Sequence, residues 1–190
     1  EDVALLTELL VARDPGDTDT RSRVRPSLSR TAAEEPPMTP LIAFAKTAVW
    51  DRAEEETHDA FDEFIEFLGG DCADLPLSEP FDHAVEMHRN IMNADLAKNL
   101  AGYYERGKDE LTDTLCEMIE LGQKVSAVDY NNAVDGREVL NSGLNDVFDD
   151  YDIIITPATT GEAPAGLDSP GNPVFNSLWT YCGTPSITLP

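Results

Sequence analysis

The residues that could do chemistry here are serines, lysines and histidines, and their spacing does not complete a catalytic set. Ser142 lies in LNSGL, which lacks the first glycine of the G-x-S-x-G turn that exposes a nucleophilic serine. Lys124 and Ser126 are two residues apart, so on a helix their side chains would point in different directions. The sequence has no S-x-x-K motif and no glycine-rich phosphate loop. We therefore expect the four lysines to be surface charges.

The histidines and acids do not have the spacing of a metal site. His83 and His88 are five residues apart, roughly 140° around a helix, whereas H-E-x-x-H places both rings on one face. His88 and Asp95 share an apolar stripe; we favour a hydrogen-bonded core pair over a substrate site. The loop DPGDTDT has Arg25 where a calcium loop starting at Asp14 needs its bidentate glutamate. We expect no metal and no cofactor.

The composition of the 190-residue chain limits its partners. The net charge is −24, from 37 acidic and 13 basic residues, which argues against direct binding of nucleic acid or an anionic membrane. Solvated acidic helix faces explain this charge, and a salty habitat is the other interpretation. The one basic stretch, RSRVRPSLSR, is expected to be a surface loop that pairs with neighbouring acids. Three widely spaced cysteines form no disulfide framework, which indicates a reducing, cytoplasmic setting.

Hydrophobic patterning predicts an α/β fold with a mixed sheet core flanked by helices. A strand at 41–47, a helix ending at Gly69-Gly70 and a short strand at 71–77 form a βαβ unit, which implies a parallel pair. Further helices are expected at 2–13, 79–104, 109–121, 126–148 and 175–181, and strands at 151–155 and 186–189. Apolar segments at both ends predict a fold incomplete at both ends, a piece of a longer protein.

The end of the chain carries the most informative motifs. DDYDIIITPATTGEAP and then FNSLWTYCGTPSITLP resemble the C-terminal half of amidase signature enzymes. In that family an aspartate, an apolar run and Thr-Pro lead into an Ala-Pro loop, followed by a helix and a Gly-x-Pro turn. EDVALLTELLVARDPGDTDTR and FAKTAVWDRAEEETHDAFDEFIEFLG resemble earlier parts of the same half, in the family's order. The resemblance implies one partial amidase domain over residues 1–190, without a separate second domain.

The resemblance implies hydrolysis of a small-molecule amide by a Ser–cis-Ser–Lys triad. In the family these residues lie N-terminal to the half that this chain resembles. The sequence has no Ser-Ser dipeptide and no Gly-Gly-Ser, and none of its lysines lies in a matching motif. No catalytic residue is therefore assigned, and the chain is expected to supply scaffold and pocket walls while the triad lies outside it.

The expected substrate-binding residues follow the 151–155 strand, because ligands of α/β sheets lie beyond the carboxyl ends of strands. Hydroxyl groups there can bond an amide, and two aromatic rings one helical turn apart could wall the pocket. Two alternatives stay open: Thr156-Pro157 could only terminate a strand, and the rings could belong to the core. The candidates are Thr156, Pro157, Thr159, Thr160, Phe175 and Trp179.

Two other functions stay open. One is a piece of the amidase subunit of a tRNA-dependent glutamine amidotransferase, although NSLWTYCGTP looks more like generic amidases. The other, from a different class, is a non-catalytic acidic helical module that binds a partner protein. The expected partner is a small-molecule amide, with no direct nucleic acid or membrane contact, and a homodimer is left open.

Overall fold

The computed structural model describes residues 2–17 and 20–188. The chain divides into two compact units, Glu1–Pro40 and Leu41–Pro190. The first unit pairs helix α1 (Asp2–Leu10) with helix α2 (Leu28–Ala33). The Glu8 carboxylate accepts the Ser29 backbone N–H at 2.8 Å, and this bond lowers the pKa of Glu8. That the two units belong to one partial domain stays a prediction.

The second unit is built on a three-stranded sheet in the order β2-β1-β3. Strand β1 (Ile42–Ala45) is central and pairs in parallel with both β2 (Cys72–Leu75) and β3 (Ile153–Ile155). Helix α3 (Glu55–Leu68) connects β1 to β2 and ends at Gly69, whose φ of 57° favours glycine. The predicted α/β class, the βαβ unit and its parallel pair are confirmed.

The two faces of β1 pack against different partners, because successive side chains of a strand point to opposite sides. Ala45 lies in the main core with Leu75 and Ile154 from the neighbouring strands and with the helices. On the other face, the Phe44 ring packs against Trp50 and Phe61, with ring centroids 5.4 and 5.6 Å away. One side of the sheet is thus covered by a layer of helices. The other side is covered by an aromatic cluster to which α3 contributes Phe61.

The helical layer is arranged around helix α4 (Ala84–Asn99), which contacts four other helices. The region predicted as a single helix over 79–104 is interrupted. A 3₁₀ turn, Glu79–His83, precedes α4, and Leu100 leaves helical geometry (φ −100°, ψ 5°) before the next helix. The remaining helices are α5 (Ala101–Gly107), α6 (Asp113–Gly122), α7 (Ala127–Asp150) and α8 (Ser177–Cys182).

Side-chain caps set the starts of two helices. The Thr112 hydroxyl accepts the Leu115 N–H at 3.3 Å, so α6 begins at Asp113 rather than near 109. The Ser126 hydroxyl accepts the Asp129 N–H at 3.1 Å at the start of α7. The strand expected at 186–189 does not form at Ser186–Thr188, and Leu189 lies outside the described residues.

The three cysteines are free thiols. Cys116 and Cys182 are buried, and burial raises the pKa of the Cys182 thiol to about 11. A thiol with this pKa is protonated at neutral pH and is a poor nucleophile. Among the described residues, no helix combines the length and the apolar character needed to cross a bilayer.

The contact between α4 and α6 depends on a glycine. A Cβ at Gly122 would overlap the backbone carbonyl of Asn93, whereas a Cβ at Gly70 would meet no atom within 4 Å. We expect Gly122→Ala to lower the free energy of unfolding by about 1–3 kcal/mol, because a backbone contact cannot move aside. Gly70→Ala is the matched control and should be neutral or slightly stabilising. Urea unfolding measures both, and equal midpoints would contradict this account of the contact.

Candidate functional site

The candidate site lies at the carboxyl edge of the sheet. Because β1 and β3 are parallel, with Phe44 opposite Ile155, the residues that follow each strand leave the same edge. Thr47 follows β1, and Thr156 to Thr160 follow β3. Loops at this edge of a parallel sheet are where ligands of α/β folds bind.

Backbone contacts fix the loop after β3. The Thr160 carbonyl accepts the Glu54 N–H at 2.7 Å and the Thr57 hydroxyl at 3.1 Å, which ties the loop to the start of α3. On its other side, Asn176 Nδ2 donates to the Ala158 carbonyl at 2.9 Å. These bonds use main-chain oxygens of the loop and do not use the hydroxyl groups of its threonines.

An open cleft of about 400 Å³ lies beside this loop; we call it the polar cleft. Its hydroxyl and amide groups can donate hydrogen bonds to an amide carbonyl or accept them from an amide N–H. The described lining has no lysine, histidine or cysteine. The lining residues are Glu54, Thr159, Thr160, Glu162, Pro164, Ser169, Gly171, Asn172 and Pro173.

The structure separates the six predicted substrate-binding residues into two groups. Thr159 and Thr160 line the polar cleft. Phe175 and Trp179, only 1% and 6% exposed, belong to the buried interior of the unit, and Pro157 is also buried. Thr156 is half-buried at the end of β3 and is absent from the cleft lining. A substrate contact by any of the six stays a prediction.

Three buried polar atoms near the carboxyl edge have no hydrogen-bond partner among the described residues: Thr47 Oγ1, Thr156 Oγ1 and Trp179 Nε1. Thr47 and Thr156 follow adjacent strands, and Trp179 packs in the same core as Ala45, two residues before Thr47. A buried polar group without a partner costs about 1–3 kcal/mol. Buried polar groups in folded proteins are nearly always hydrogen-bonded, so these three atoms call for a partner such as water, an ion or a ligand.

Several residues of the cleft were not predicted from the sequence. Glu54 reaches the loop from the start of α3, about a hundred residues earlier in the chain, and no local pattern signals that contact. Glu162, Ser169 and Asn172 lie in a segment without helix or strand. Ser169 and Asn172 already accept the N–H groups of Gly171 and Val174, so both positions are parts of turns.

The other titratable candidates do not form a reactive set. The Tyr130 hydroxyl donates to Asp95 Oδ1 at 3.2 Å, so the expected pair of His88 with Asp95 is wrong. Burial, with Arg137 and Arg89, lowers the pKa of His88 and keeps the ring neutral at pH 7. Within the described ranges, no three His, Cys, Asp or Glu side chains are grouped closely enough to hold a metal ion.

Comparison with known proteins gives one family and a set of similar folds. A family model described as amidase matches residues 1–189. No curated protein matches the chain.

Three similar solved structures show the fold. An inhibitor-bound complex, described as revealing the evolutionary origins of an s-triazine catabolic enzyme, has a TM-score of 0.75 and 19% identity; 95% of this chain and 41% of that chain are covered. A substrate complex of 6-aminohexanoate cyclic dimer hydrolase has a TM-score of 0.67 and 16% identity, and 96% of this chain and 44% of that chain are covered. An amidase has a TM-score of 0.66 and 17% identity, and 78% of this chain and 37% of that chain are covered. The chain spans about two fifths of each.

The anchoring of the loop gives a testable prediction. Asn176→Ala removes the bond to the Ala158 carbonyl, and we expect amide hydrogen exchange across 156–162 to become about five times faster, as the loss of about 1 kcal/mol implies. Thr180→Ala changes an exposed side chain on α8, the helix that follows Asn176. That side chain makes no described hydrogen bond, so the substitution should leave exchange unchanged. Equal exchange in wild type and Asn176→Ala would show that the bond does not hold the loop.

Proposed function

The chain belongs to the amidase family, and we propose that it supplies scaffold and one substrate-binding wall to an enzyme that hydrolyses a carbon–nitrogen bond of a small-molecule amide. One observation carries the proposal: the polar cleft lies beside the loop that leaves the carboxyl edge of the sheet, where two of the predicted threonines meet. The family match over residues 1–189 supports the reaction class.

We place the catalytic Ser–cis-Ser–Lys residues of this enzyme outside residues 1–190. The chain has no Ser-Ser dipeptide. Two of its four lysines have other described contacts: Lys46 lies over the Phe44 and Trp50 rings, at 5.6 and 5.2 Å, and Lys108 pairs with Glu120 at 2.7 Å. The matched structures are also more than twice as long as this chain, which leaves room for a triad in the rest of such an enzyme.

The chemistry of the wall suits a small polar substrate. The hydroxyl groups of Thr159 and Thr160 can donate a hydrogen bond to the amide carbonyl or accept one from the amide nitrogen. They can therefore stay bonded to the substrate as the charges on these two atoms change during hydrolysis. The similar 6-aminohexanoate cyclic dimer hydrolase was solved with its substrate, and we propose a small-molecule amide as the substrate class here too.

The location of the triad is tested first. We expect the 190-residue chain, purified alone, to release no product above buffer from a chromogenic anilide or from simple aliphatic amides, because no nucleophile with a base is assigned to it. The polypeptide encoded by the complete reading frame around these residues should hydrolyse at least one of them.

Each other result has a definite meaning. Turnover by the 190-residue chain alone would place the nucleophile within it and refute the assignment. Ammonia release from glutamine, without hydrolysis of other amides, would favour the amidotransferase subunit. A complete reading frame limited to these residues and inactive on every amide would favour the non-catalytic module.

The contribution of the polar cleft to substrate binding is tested in the complete enzyme. Thr159→Val and Thr160→Val remove a hydroxyl while keeping the shape of the side chain, and we expect KM to rise about fivefold for each, the cost of one hydrogen bond to a neutral group. The control is Thr114→Val, an exposed threonine on α6 away from the cleft, which should leave KM unchanged. An unchanged KM in both cleft variants would remove the cleft from the substrate site.

A further inference from the structure

The first unit contains a cavity lined mainly by arginines, which the proposed amide hydrolysis does not use. Its volume is about 330 Å³, at the lower end of the range of about 300–1,000 Å³ for small-molecule pockets. Four arginines line it, together with Val11 and Ala12. The arginines are Arg13, Arg21, Arg23 and Arg25, and we call them the arginine cluster.

A hydrogen-bonded loop brings the two ends of the cluster together. The Asp14 N–H donates to Thr20 Oγ1 at 2.9 Å, and that hydroxyl donates back to the Asp14 carbonyl at 2.8 Å. These two bonds close a loop whose flanking residues are Arg13 and Arg21. Residues eight positions apart in the chain therefore meet on the same cavity.

Arg21, Arg23 and Arg25 reach the cavity because they occupy alternate positions of the chain. Residues 21–27 form neither helix nor strand. A spacing of two puts side chains on one side of an extended backbone, and the residue before Pro26 is restricted to extended conformations. Arg21, Arg23 and Arg25 share the cavity, whereas Val24 between them is 95% exposed. The pattern R-S-R-V-R thus places three arginines along one cavity.

The salt bridges described for residues 2–17 and 20–188 do not include Arg13, Arg21, Arg23 or Arg25. The salt bridges among residues 2–17 and 20–188 are Arg30 with Glu34, His83 with Glu79 and Lys108 with Glu120. Glu8 is close enough to Arg25 for the charge to lower its pKa slightly, but its carboxylate is bonded mainly to Ser29. The Asp14 carboxylate accepts the Gly16 N–H. Among the described salt bridges, the pairing with acids expected for RSRVRPSLSR is seen at Arg30.

This concentration of charge is unusual for the chain. Four of its 13 basic residues line one small cavity, in a protein with a net charge of −24. Like charges placed close together repel, so an anion that binds among them reduces this repulsion. A guanidinium group presents a planar fork of donors that matches two oxygens of a phosphate or carboxylate at once.

We propose that the arginine cluster binds a small polyanion that carries adjacent phosphoryl groups, such as a diphosphate or the phosphate chain of a nucleotide. A single carboxylate or monophosphate offers too few oxygens for four guanidinium forks, whereas a di- or triphosphate can engage all of them. The site lies within the first unit, and its occupancy does not depend on the amide reaction.

The test is calorimetric titration of the 190-residue chain with pyrophosphate at low salt. We expect saturable binding at one site, weakened by added sodium chloride because screening acts on the ion pairs. Titration with ATP and with adenosine identifies the source of the phosphoryl groups. Equal binding of pyrophosphate and ATP indicates that the phosphate chain alone is recognised. Tighter binding of ATP indicates that the ligand is a nucleotide. Binding of adenosine as tight as that of ATP would overturn the proposal.

A charge-matched pair of variants locates the site. The triple variant Arg21→Gln, Arg23→Gln, Arg25→Gln should bind pyrophosphate at least about a hundredfold more weakly, because three charge-assisted contacts are lost. The control variant Arg52→Gln, Arg89→Gln, Arg106→Gln removes the same charge from exposed residues of the second unit and should bind within about twofold of wild type. Replacing the cluster arginines by lysine should give an intermediate affinity, because charge stays and the fork is lost.

Several results would overturn the proposal: no binding by wild type, equal binding by the cluster variant, or an equal loss in the control variant. Binding of polyglutamate through the same arginines, without binding of pyrophosphate, would replace a phosphoryl ligand by an acidic protein surface. If the cluster variant does not fold, hydrogen exchange on wild type decides. Pyrophosphate should slow exchange at 11–17 and 20–25, and protection confined to other residues would refute the site.

Discussion

The parallel pairing of β1 with β3 is the constraint on which the second unit depends. Paired residues of the two strands are 111 positions apart in the chain. Asp152 fixes their register through its side chain and its backbone N–H. Its Oδ2 accepts the Leu41 N–H, and its own N–H donates to the Leu41 carbonyl, each at 2.9 Å. Closing so long a connection costs conformational entropy that only packing of the intervening helices can offset.

The helical layer meets this requirement through close packing around α4 and α7. Glycines allow large side chains to approach α7: Gly136 lies against Met87 and Tyr181, and Gly143 against Phe81. The Tyr181 hydroxyl donates to the Ala133 carbonyl, so the short helix α8 is fixed to α7 by a buried polar contact as well as by apolar area. Asn176, just before α8, then holds the loop beside the polar cleft. The position of the cleft is thus a consequence of core packing.

Charge is distributed unevenly between the two units. The first forty residues hold five of the 13 basic residues and only eight of the 37 acidic ones, so nearly all the excess negative charge belongs to the second unit. Acidic side chains on exposed helix faces are solvated and need no partner. Arginines that converge on one cavity are different, since their proximity has an electrostatic cost that a solvated face does not have.

The sequence alone determined whatever depends on local pattern. Apolar residues three or four apart, with acidic residues between them, specified α3, and Gly69 ended it. The order of strand, helix and strand gave the parallel pair. These signals act within one or two turns of the chain. The Thr-Pro and Gly-Thr-Pro motifs likewise indicated the amidase family and directed attention to Thr159 and Thr160.

Only the tertiary structure decided which of these residues share a surface. Phe175 and Trp179 lie at helical spacing that fits a pocket wall and a core equally well, and tertiary packing buried both. Glu54 reached the cleft, and Arg13 joined Arg21, through contacts between segments that no local pattern connects. A spacing of residues fixes the direction of a side chain relative to its own backbone, whereas the partner on that side depends on how distant segments pack.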